Sequence, residues 1–102
     1  MNIEVFYFDG CPNVAPTVDR LKRVLAEEGL CHPITLVRVG DPAVAQSAEF
    51  LGSPTVRING IDIEPSARSR TDCGMMCRRY DDDGAPSEAV IRSAIAEISN
   101  KG

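Results

Sequence analysis

Apolar residues are concentrated in short runs along the chain. Four of these runs are rich in β-branched and aromatic side chains, as buried strands are. They are IEVFYF (3–8), ITLVRV (34–39), PTVRI (54–58) and IDI (61–63). The last two flank Asn59-Gly60, the strongest sequence signal for a two-residue hairpin turn. Four strands are therefore predicted, the third and fourth of them joined as a hairpin.

Helical patterns separate the strands and close the chain. Three helices are predicted, from Val14 to a stop at Gly29, from Pro42 to about Phe50, and from about Pro86 to Ser99. Asp41 before Pro42 is the expected N-cap with a proline at the first helical position. Pro16 would remove one helical hydrogen bond, so the first helix is expected to open with a kink or to begin late.

The predicted order is β-α-β-α-β-β-α, which fills 102 residues as one α/β domain, residues 1–102. Residues 65–85 carry no helical or strand periodicity. A loop of this length in a compact domain usually has a function. Within it, Asp81-Asp82-Asp83-Gly84 is interpreted as a solvated turn. An acidic metal loop is the less favoured alternative, because no carboxylates with ligand spacing follow.

Composition narrows the classes of partner. The net charge of −4 argues against sequence-independent binding of nucleic acid, which needs many cationic side chains. No apolar run approaches the roughly 20 residues that span a bilayer, and the first residues lack the features of a signal peptide. We therefore expect a cytoplasmic protein without a nucleic-acid or membrane partner, as a monomer or weak dimer.

Four cysteines, at positions 11, 31, 73 and 77, are the main candidates for chemistry. In a reducing compartment such thiols are more often catalytic, redox-sensing or metal-binding than structural. Cys11 follows the first strand at the start of the first helix, where unpaired N–H groups and the helix dipole favour a thiolate. Asp9 opposes this by charge repulsion or, when protonated, could relay a proton. Cys11 is predicted to be reactive.

Two motifs carry a family resemblance. FDGCPN (8–13) places a cysteine at the start of the first helix, and GSPTVRINGIDI (52–63) combines a Ser-Pro step with a strand and a hairpin. Together with the element order they resemble the thioredoxin-like superfamily. More narrowly, the chain resembles small bacterial thioredoxin-like proteins with FDGCPN and CGxxCR motifs, often labelled alkylmercury-lyase-like.

The resemblance implies a thioredoxin-like fold, with a four-stranded mixed sheet that has helices on both faces. It also implies a cis peptide bond before Pro54, close to Cys11. Substrate contacts are then expected from the residues around the thiol, from the loop before the third strand and from an arginine of the loop. These residues are Pro12, Ser53, Pro54, Thr55 and Arg78.

Cys11 lacks the second cysteine of a Cys-x-x-Cys motif, because Val14 stands there. In the implied fold the loop after the hairpin begins near Cys11 and can bring Cys73 and Cys77 to it. Cys31 follows the far end of the first helix, about 25 Å away for a helix of this length. Cys73 and Cys77 are therefore the candidate partners, and the sequence does not choose between them.

Two chemistries remain open for these thiols. In the redox hypothesis Cys11 attacks a disulfide and Cys73 or Cys77 resolves it, with glutathione or a protein as thiol partner and no cofactor. Arg70, Arg78 and Arg79 would support thiolates or bind the carboxylates of glutathione. In the metal hypothesis Cys11, Cys73 and Cys77 bind Zn²⁺, Cu(I) or Hg(II), with Met75 and Met76 nearby. A [2Fe–2S] cluster would also need Cys31, which the topology disfavours.

Overall fold

The computed structural model describes residues 1–30, 32–80 and 84–100, so Cys31 and the acidic run 81–83 lie outside the described residues. The protein is α/β. Its elements are β1 (Ile3–Tyr7), α1 (Val14–Glu27), β2 (Ile34–Arg38), α2 (Pro42–Ser47), β3 (Thr55–Ile58), β4 (Ile61–Asp62) and α3 (Glu88–Asn100). A short 3₁₀ helix, Pro65–Ala67, follows β4. The predicted order of strands and helices is confirmed.

In the described part of the chain, the strands form a mixed sheet in the order β2-β1-β3-β4. β1 pairs parallel with β2 and antiparallel with β3, with Phe6 opposite Thr55. β3 and β4 form the predicted hairpin, and Asn59 and Gly60 take φ angles of 54° and 80°. Two successive positive φ angles are what a type I′ turn requires. Because β1 and β3 are antiparallel, the chain leaving β1 lies beside the chain entering β3.

Helices cover both faces of the sheet. On one face α1 and α3 pack over a core that includes Ile3, Val5, Leu21, Val24, Val56, Ile58, Ile91 and Ile95. On the other face α2 covers a smaller core of Phe6, Val39, Ala45 and Phe50. Successive residues of a strand point to opposite faces, so β1 contributes to both cores. This explains why consecutive residues of β1, Val5 and Phe6, are both apolar and both buried.

The first helix opens differently from the sequence-based prediction. α1 begins at Val14 without delay, so Pro16 is its third residue. The first N–H groups of a helix have no acceptor within the helix. In α1 the first helical hydrogen bond runs from the Thr17 N–H to the Asn13 carbonyl at 3.2 Å. Pro16 therefore removes no hydrogen bond, and the expected kink or late start was wrong.

The second helix is shorter than predicted. α2 ends at Ser47, because Glu49 adopts a φ of 54° that turns the chain out of the helix. The Phe50 N–H then donates to the Ala45 carbonyl at 2.8 Å, and that of Glu49 donates to Gln46 at 3.2 Å. This is the bonding pattern of a Schellman motif, formed here without glycine. The turn sends the chain toward β3.

Leu21 and Leu36 are expected to contribute differently to the free energy of unfolding. Leu21 is fully buried between α1 and the sheet, whereas Leu36 on the edge strand β2 is 51% exposed. Leu21→Ala is expected to lower the free energy of unfolding by about 2–5 kcal/mol. Leu36→Ala serves as the control and should change it by less than about 0.5 kcal/mol. Urea unfolding followed by circular dichroism measures both, and equal losses would contradict this core.

Candidate functional site

The turn between β1 and α1 holds Cys11. Gly10 has a φ of 84°, and the Cys11 N–H donates to the Phe8 carbonyl at 3.4 Å, which closes the turn. The Cys11 side chain is half-buried and carries a free thiol. Asn13 is the N-cap residue of α1 and makes no side-chain capping bond. Cys11 therefore lies two residues before the cap, at the start of α1 as predicted.

An ion pair stands beside this turn. The Arg38 guanidinium, at the end of β2, contacts the Asp9 carboxylate at 2.6 Å. This hydrogen bond lowers the pKa of Asp9 below its ordinary value. Asp9 is therefore ionised at neutral pH and does not serve there as the protonated relay that the sequence allowed. Both side chains are more than half exposed, so solvent screens the pair.

The loop before β3 meets the same turn. The Ser53–Pro54 peptide bond is cis, as the family resemblance implied. Ser53 is fully buried, and its hydroxyl accepts a hydrogen bond from the Phe8 N–H at 3.4 Å. Phe8 thus donates to Ser53 through its N–H and accepts from Cys11 through its carbonyl. Phe8 therefore links Cys11 to the Ser53–Pro54 step, with one hydrogen bond to Cys11 and one to Ser53.

Residues 72–80, which we call the cysteine segment, run alongside this loop. The Ser53 N–H donates to the Met76 carbonyl at 2.9 Å, and the Ser53 carbonyl accepts from the Arg78 N–H at 3.0 Å. Between these two bonds Cys77 pairs with Ser53 in a parallel β-bridge. A Cβ atom on Gly52 would lie 2.9 Å from the Met76 carbonyl oxygen, so the close approach requires glycine.

Arg78 anchors the cysteine segment from within the protein. Its side chain has no exposed surface, and its guanidinium donates to both oxygens of Asp62 at 2.7 and 2.8 Å and to Glu64 at 2.9 Å. Burial alone would lower the pKa of this guanidinium, but the bonds to Asp62 and Glu64 raise it, so Arg78 remains charged. We therefore correct the expectation for Arg78, since a buried guanidinium that is already paired with two carboxylates is not placed to bind a substrate carboxylate or support a thiolate.

Two neighbours of Arg78 complete this anchor. The Thr55 hydroxyl, fully buried, donates to the Gly52 carbonyl at 2.5 Å and accepts from Arg78 at 3.3 Å. The Tyr80 ring lies under the guanidinium at 4.4 Å, and its hydroxyl donates to the Pro54 carbonyl at 2.6 Å. Thr55 is thus engaged in the interior, whereas Pro12, the other predicted substrate contact beside Cys11, is exposed.

The other arginines of the loop behave differently from Arg78. Arg70 pairs with Asp72 at 2.6 Å, and this hydrogen bond lowers the pKa of the Asp72 carboxyl to about 2. Arg79 is exposed and takes part in no ion pair within the described residues. Of the three guanidinium groups expected near the thiols, Arg79 alone is therefore both exposed and without an ion-pair partner in this part of the chain.

The two cysteines of the segment have different surroundings. Met75 lines a cavity of about 310 Å³ with Phe8 and Asp9, so this part of the segment reaches the turn that holds Cys11. Cys73 instead lines a separate cavity of about 420 Å³ with Glu49 and Arg68. Cys77 is exposed, Cys73 is half-buried, and both thiols are free.

Metal ligation finds no ready site. Within residues 1–30, 32–80 and 84–100, no three histidine, cysteine, aspartate or glutamate side chains lie together as metal ligands. Cys11, Cys73 and Cys77 are therefore not gathered into a three-ligand site for Zn²⁺, Cu(I) or Hg(II). The metal hypothesis and the [2Fe–2S] hypothesis, which involves Cys31, stay predictions without geometric support.

Similarity to known proteins does not add to this picture. No family model, curated protein or solved structure matches the chain. The thioredoxin-like resemblance therefore stays a prediction. In the described part of the chain, no helix has the length and apolar composition that crossing a bilayer demands.

Sequence reasoning missed the residues that anchor the cysteine segment. Asp62 and Glu64 alternate with apolar residues along IDIEP, a pattern equally typical of a strand with one solvated face. With 11 lysines and arginines in the chain, nothing marked Arg78 as the buried one. The available signal was the aromatic Tyr80 two residues later, which a buried guanidinium can stack upon.

Breaking the anchor should cost stability. Asp62→Asn leaves the buried Arg78 charge with Glu64 as its only carboxylate and is expected to lower the free energy of unfolding by about 3–5 kcal/mol. Asp72→Asn, which breaks an exposed pair with Arg70, is the matched control and should barely move the denaturation midpoint. Limited trypsin cleavage after Arg79 should accelerate only in Asp62→Asn. Equal stability of both variants would refute a structural role for the buried pair.

Tyr80 predicts a loss of stability at high pH. Burial raises the pKa of its phenol above the ordinary value of 10.0, so the folded protein keeps the proton that the unfolded chain releases. The stabilisation is fully present below about pH 10 and is lost as pH rises above it, by up to about 1.4 kcal/mol per pH unit. Tyr80→Phe keeps the ring but removes this proton. Denaturant titrations from pH 9 upward should therefore show a shallower decline in the variant, and identical slopes would contradict the assignment.

Proposed function

We propose that the protein is a thiol–disulfide oxidoreductase or thiol transferase, with Cys11 as nucleophile and a cysteine of the cysteine segment as resolving residue. One observation carries the proposal. The segment that bears Cys73 and Cys77 is hydrogen-bonded to Ser53, and Ser53 is hydrogen-bonded to the turn that positions Cys11. Thiols far apart in sequence are thereby held on neighbouring pieces of backbone.

A thioredoxin-like architecture is part of this proposal. The element order, the sheet order β2-β1-β3-β4, the helices on both faces and the cis bond before Pro54 all agree with it. So does the position of Cys11 between β1 and α1. These features support a fold that many unrelated activities share, so the chemistry must come from the thiols.

The proposed reaction uses two thiols. The Cys11 thiolate attacks one sulfur of a substrate disulfide, forms a mixed disulfide and expels the other half as a thiolate that takes up a proton. The second protein thiolate then attacks the Cys11 sulfur and releases the remaining half. Two electrons pass to the substrate, and the protein is left with an internal disulfide. Two glutathione molecules reduce it and leave as glutathione disulfide.

Small disulfides are the favoured substrates. An extended peptide that docked on Ser53 would need the N–H and carbonyl groups that Met76 and Arg78 already occupy. Displacing them would strain the anchor around Arg78, whose side chain is buried. A low-molecular-weight disulfide needs no such strand pairing and can approach the half-buried Cys11 directly. We therefore propose glutathione mixed disulfides as the substrate class, ahead of protein disulfides.

Turnover of a small disulfide tests the proposal. Purified protein is given reduced glutathione and hydroxyethyl disulfide, and glutathione disulfide is followed through NADPH consumption by glutathione reductase. Cys11→Ser should reduce the rate to the uncatalysed background, because a serine hydroxyl is not a nucleophile toward disulfides at neutral pH. Cys31→Ser is the control and should keep the rate, because Cys31 follows the far end of the first helix in the sequence.

Two results would count against the proposal. Full turnover by Cys11→Ser would show that Cys11 is not the nucleophile. A native rate no higher than the uncatalysed background would show that the protein lacks this activity. An insulin-reduction assay run in parallel tests the substrate class, where the native protein should be slower than on the small disulfide. Faster insulin reduction would assign a protein substrate instead.

A further inference from the structure

We infer that Cys77, and not Cys73, is the residue that forms the internal disulfide with Cys11. The inference rests on the proposed function and names the partner that the sequence left open. Three sets of contacts carry it, which concern the backbone around Cys77, the residues on either side of Cys11, and the surroundings of Cys73.

The backbone of Cys77 is fixed against Ser53, which itself contacts the turn that holds Cys11. Cys77 lies between two hydrogen bonds to Ser53 and pairs with it as in a sheet. Paired strands lie about 5 Å apart, so the main chains of Cys77 and Ser53 are in direct contact. Ser53 in turn accepts a hydrogen bond from Phe8, whose carbonyl accepts from Cys11. Ser53 and Phe8 thus connect Cys77 to Cys11.

Residues before and after Cys77 contact both sides of the Cys11 turn. Met75 shares a cavity with Phe8 and Asp9, which precede Cys11. Gly84 lies against the side chain of Asn13, which follows Cys11, so closely that a Cβ atom there would overlap it. Met75 and Gly84 thus lie next to residues that precede and follow Cys11. In the sequence Cys77 stands between Met75 and Gly84, whereas Cys73 stands before both.

Cys73 belongs to another part of the surface. The Gly74 N–H donates to the Phe50 carbonyl at 3.0 Å, which ties the start of the segment to the chain leaving α2. The cavity that Cys73 lines is formed with Gln46, Glu49, Arg68, Ser69, Arg70 and Thr71. None of these residues lines the cavity shared by Met75, Phe8 and Asp9. Cys73 therefore lies on the side of the molecule where residues of α2 and those after the 3₁₀ helix meet.

The anchor holds Cys77 ready for the resolving step. Arg78, the next residue, has a buried guanidinium fixed by Asp62 and Glu64, while the Cys77 side chain is exposed. A thiol on fixed backbone beside its target reacts at a high effective concentration. The Cys77 thiolate attacks the Cys11 sulfur of the mixed disulfide, a Cys11–Cys77 bond forms, and the substrate half leaves as a thiolate.

Disulfide mapping decides between the two cysteines. Native protein, Cys73→Ser and Cys77→Ser are each incubated with glutathione disulfide, alkylated, digested without reduction and analysed by mass spectrometry. The native protein and Cys73→Ser should give a Cys11–Cys77 cross-link. Cys77→Ser should instead accumulate Cys11 bound to one glutathione, at least about tenfold above the native level, because the resolving thiol is missing.

The failure of this inference is distinct from that of the proposed function. A Cys11–Cys73 cross-link in the native protein, with glutathione trapped on Cys73→Ser, would overturn the choice of Cys77 and leave the activity in place. Absence of both a cross-link and a glutathione adduct at Cys11 would overturn the two together. Both serine variants replace a thiol that is at most half-buried, and circular dichroism confirms that each is folded before mapping.

Discussion

The guanidinium of Arg78 carries its charge where water does not reach, and such a charge costs several kcal/mol unless carboxylates surround it. Asp62 at the end of β4 and Glu64 just beyond it supply them. If the cysteine segment left its place, the arginine could recover water but the two carboxylates would lose their cation. The main effect of the bonds from Arg78 to Asp62 and Glu64 is therefore to fix the position of the cysteine segment. Their net contribution to the stability of the fold is smaller.

The geometry of the candidate site follows from that placement. With its guanidinium bound to Asp62 of β4, Arg78 donates its backbone N–H to the Ser53 carbonyl. The preceding residue, Cys77, then pairs with Ser53. The antiparallel pairing of β1 and β3 sets Phe6 opposite Thr55, so the turn after β1 has to run beside Ser53. One constraint comes from the sheet and the other from a buried charge. Together they place Cys77 against Ser53, which contacts the turn that holds Cys11.

Local chemistry explains what the sequence could predict. The Asn59-Gly60 turn, the Asp41-Pro42 helix start and the alternation of strands and helices depend on residues close in sequence, and all were predicted correctly. Pro16 was misjudged because its cost depends on the first residue of the helix, which periodicity locates only approximately. The early end of α2 depends on Glu49 adopting a positive φ, which glycine usually signals.

Long-range pairing explains what the sequence could not predict. The cysteines themselves were identified as candidates from their positions, but Arg78 was expected to bind substrate or support a thiolate, because arginine is almost never buried without a partner. Its partners, Asp62 and Glu64, are distant in sequence, and nothing in the sequence around them distinguishes them from solvent-exposed acidic residues. The distinction between Cys73 and Cys77 has the same origin, since it depends on which residue of a loop lies opposite Ser53.

In a Cys-x-x-Cys site a single helical turn holds both sulfurs. Here Val14 occupies the second position, so in the proposed mechanism the anchor of the cysteine segment holds the second sulfur instead. Docking of the segment and formation of a Cys11–Cys77 bond are then linked, and linkage is reciprocal. A bond that closes a loop of about 65 residues would stabilise the folded chain by about 4 kcal/mol. By the same cycle, whatever holds Cys77 beside Ser53 makes the disulfide harder to reduce. Asp62 and Glu64, which never touch a sulfur, would thus help to set the redox balance of the site.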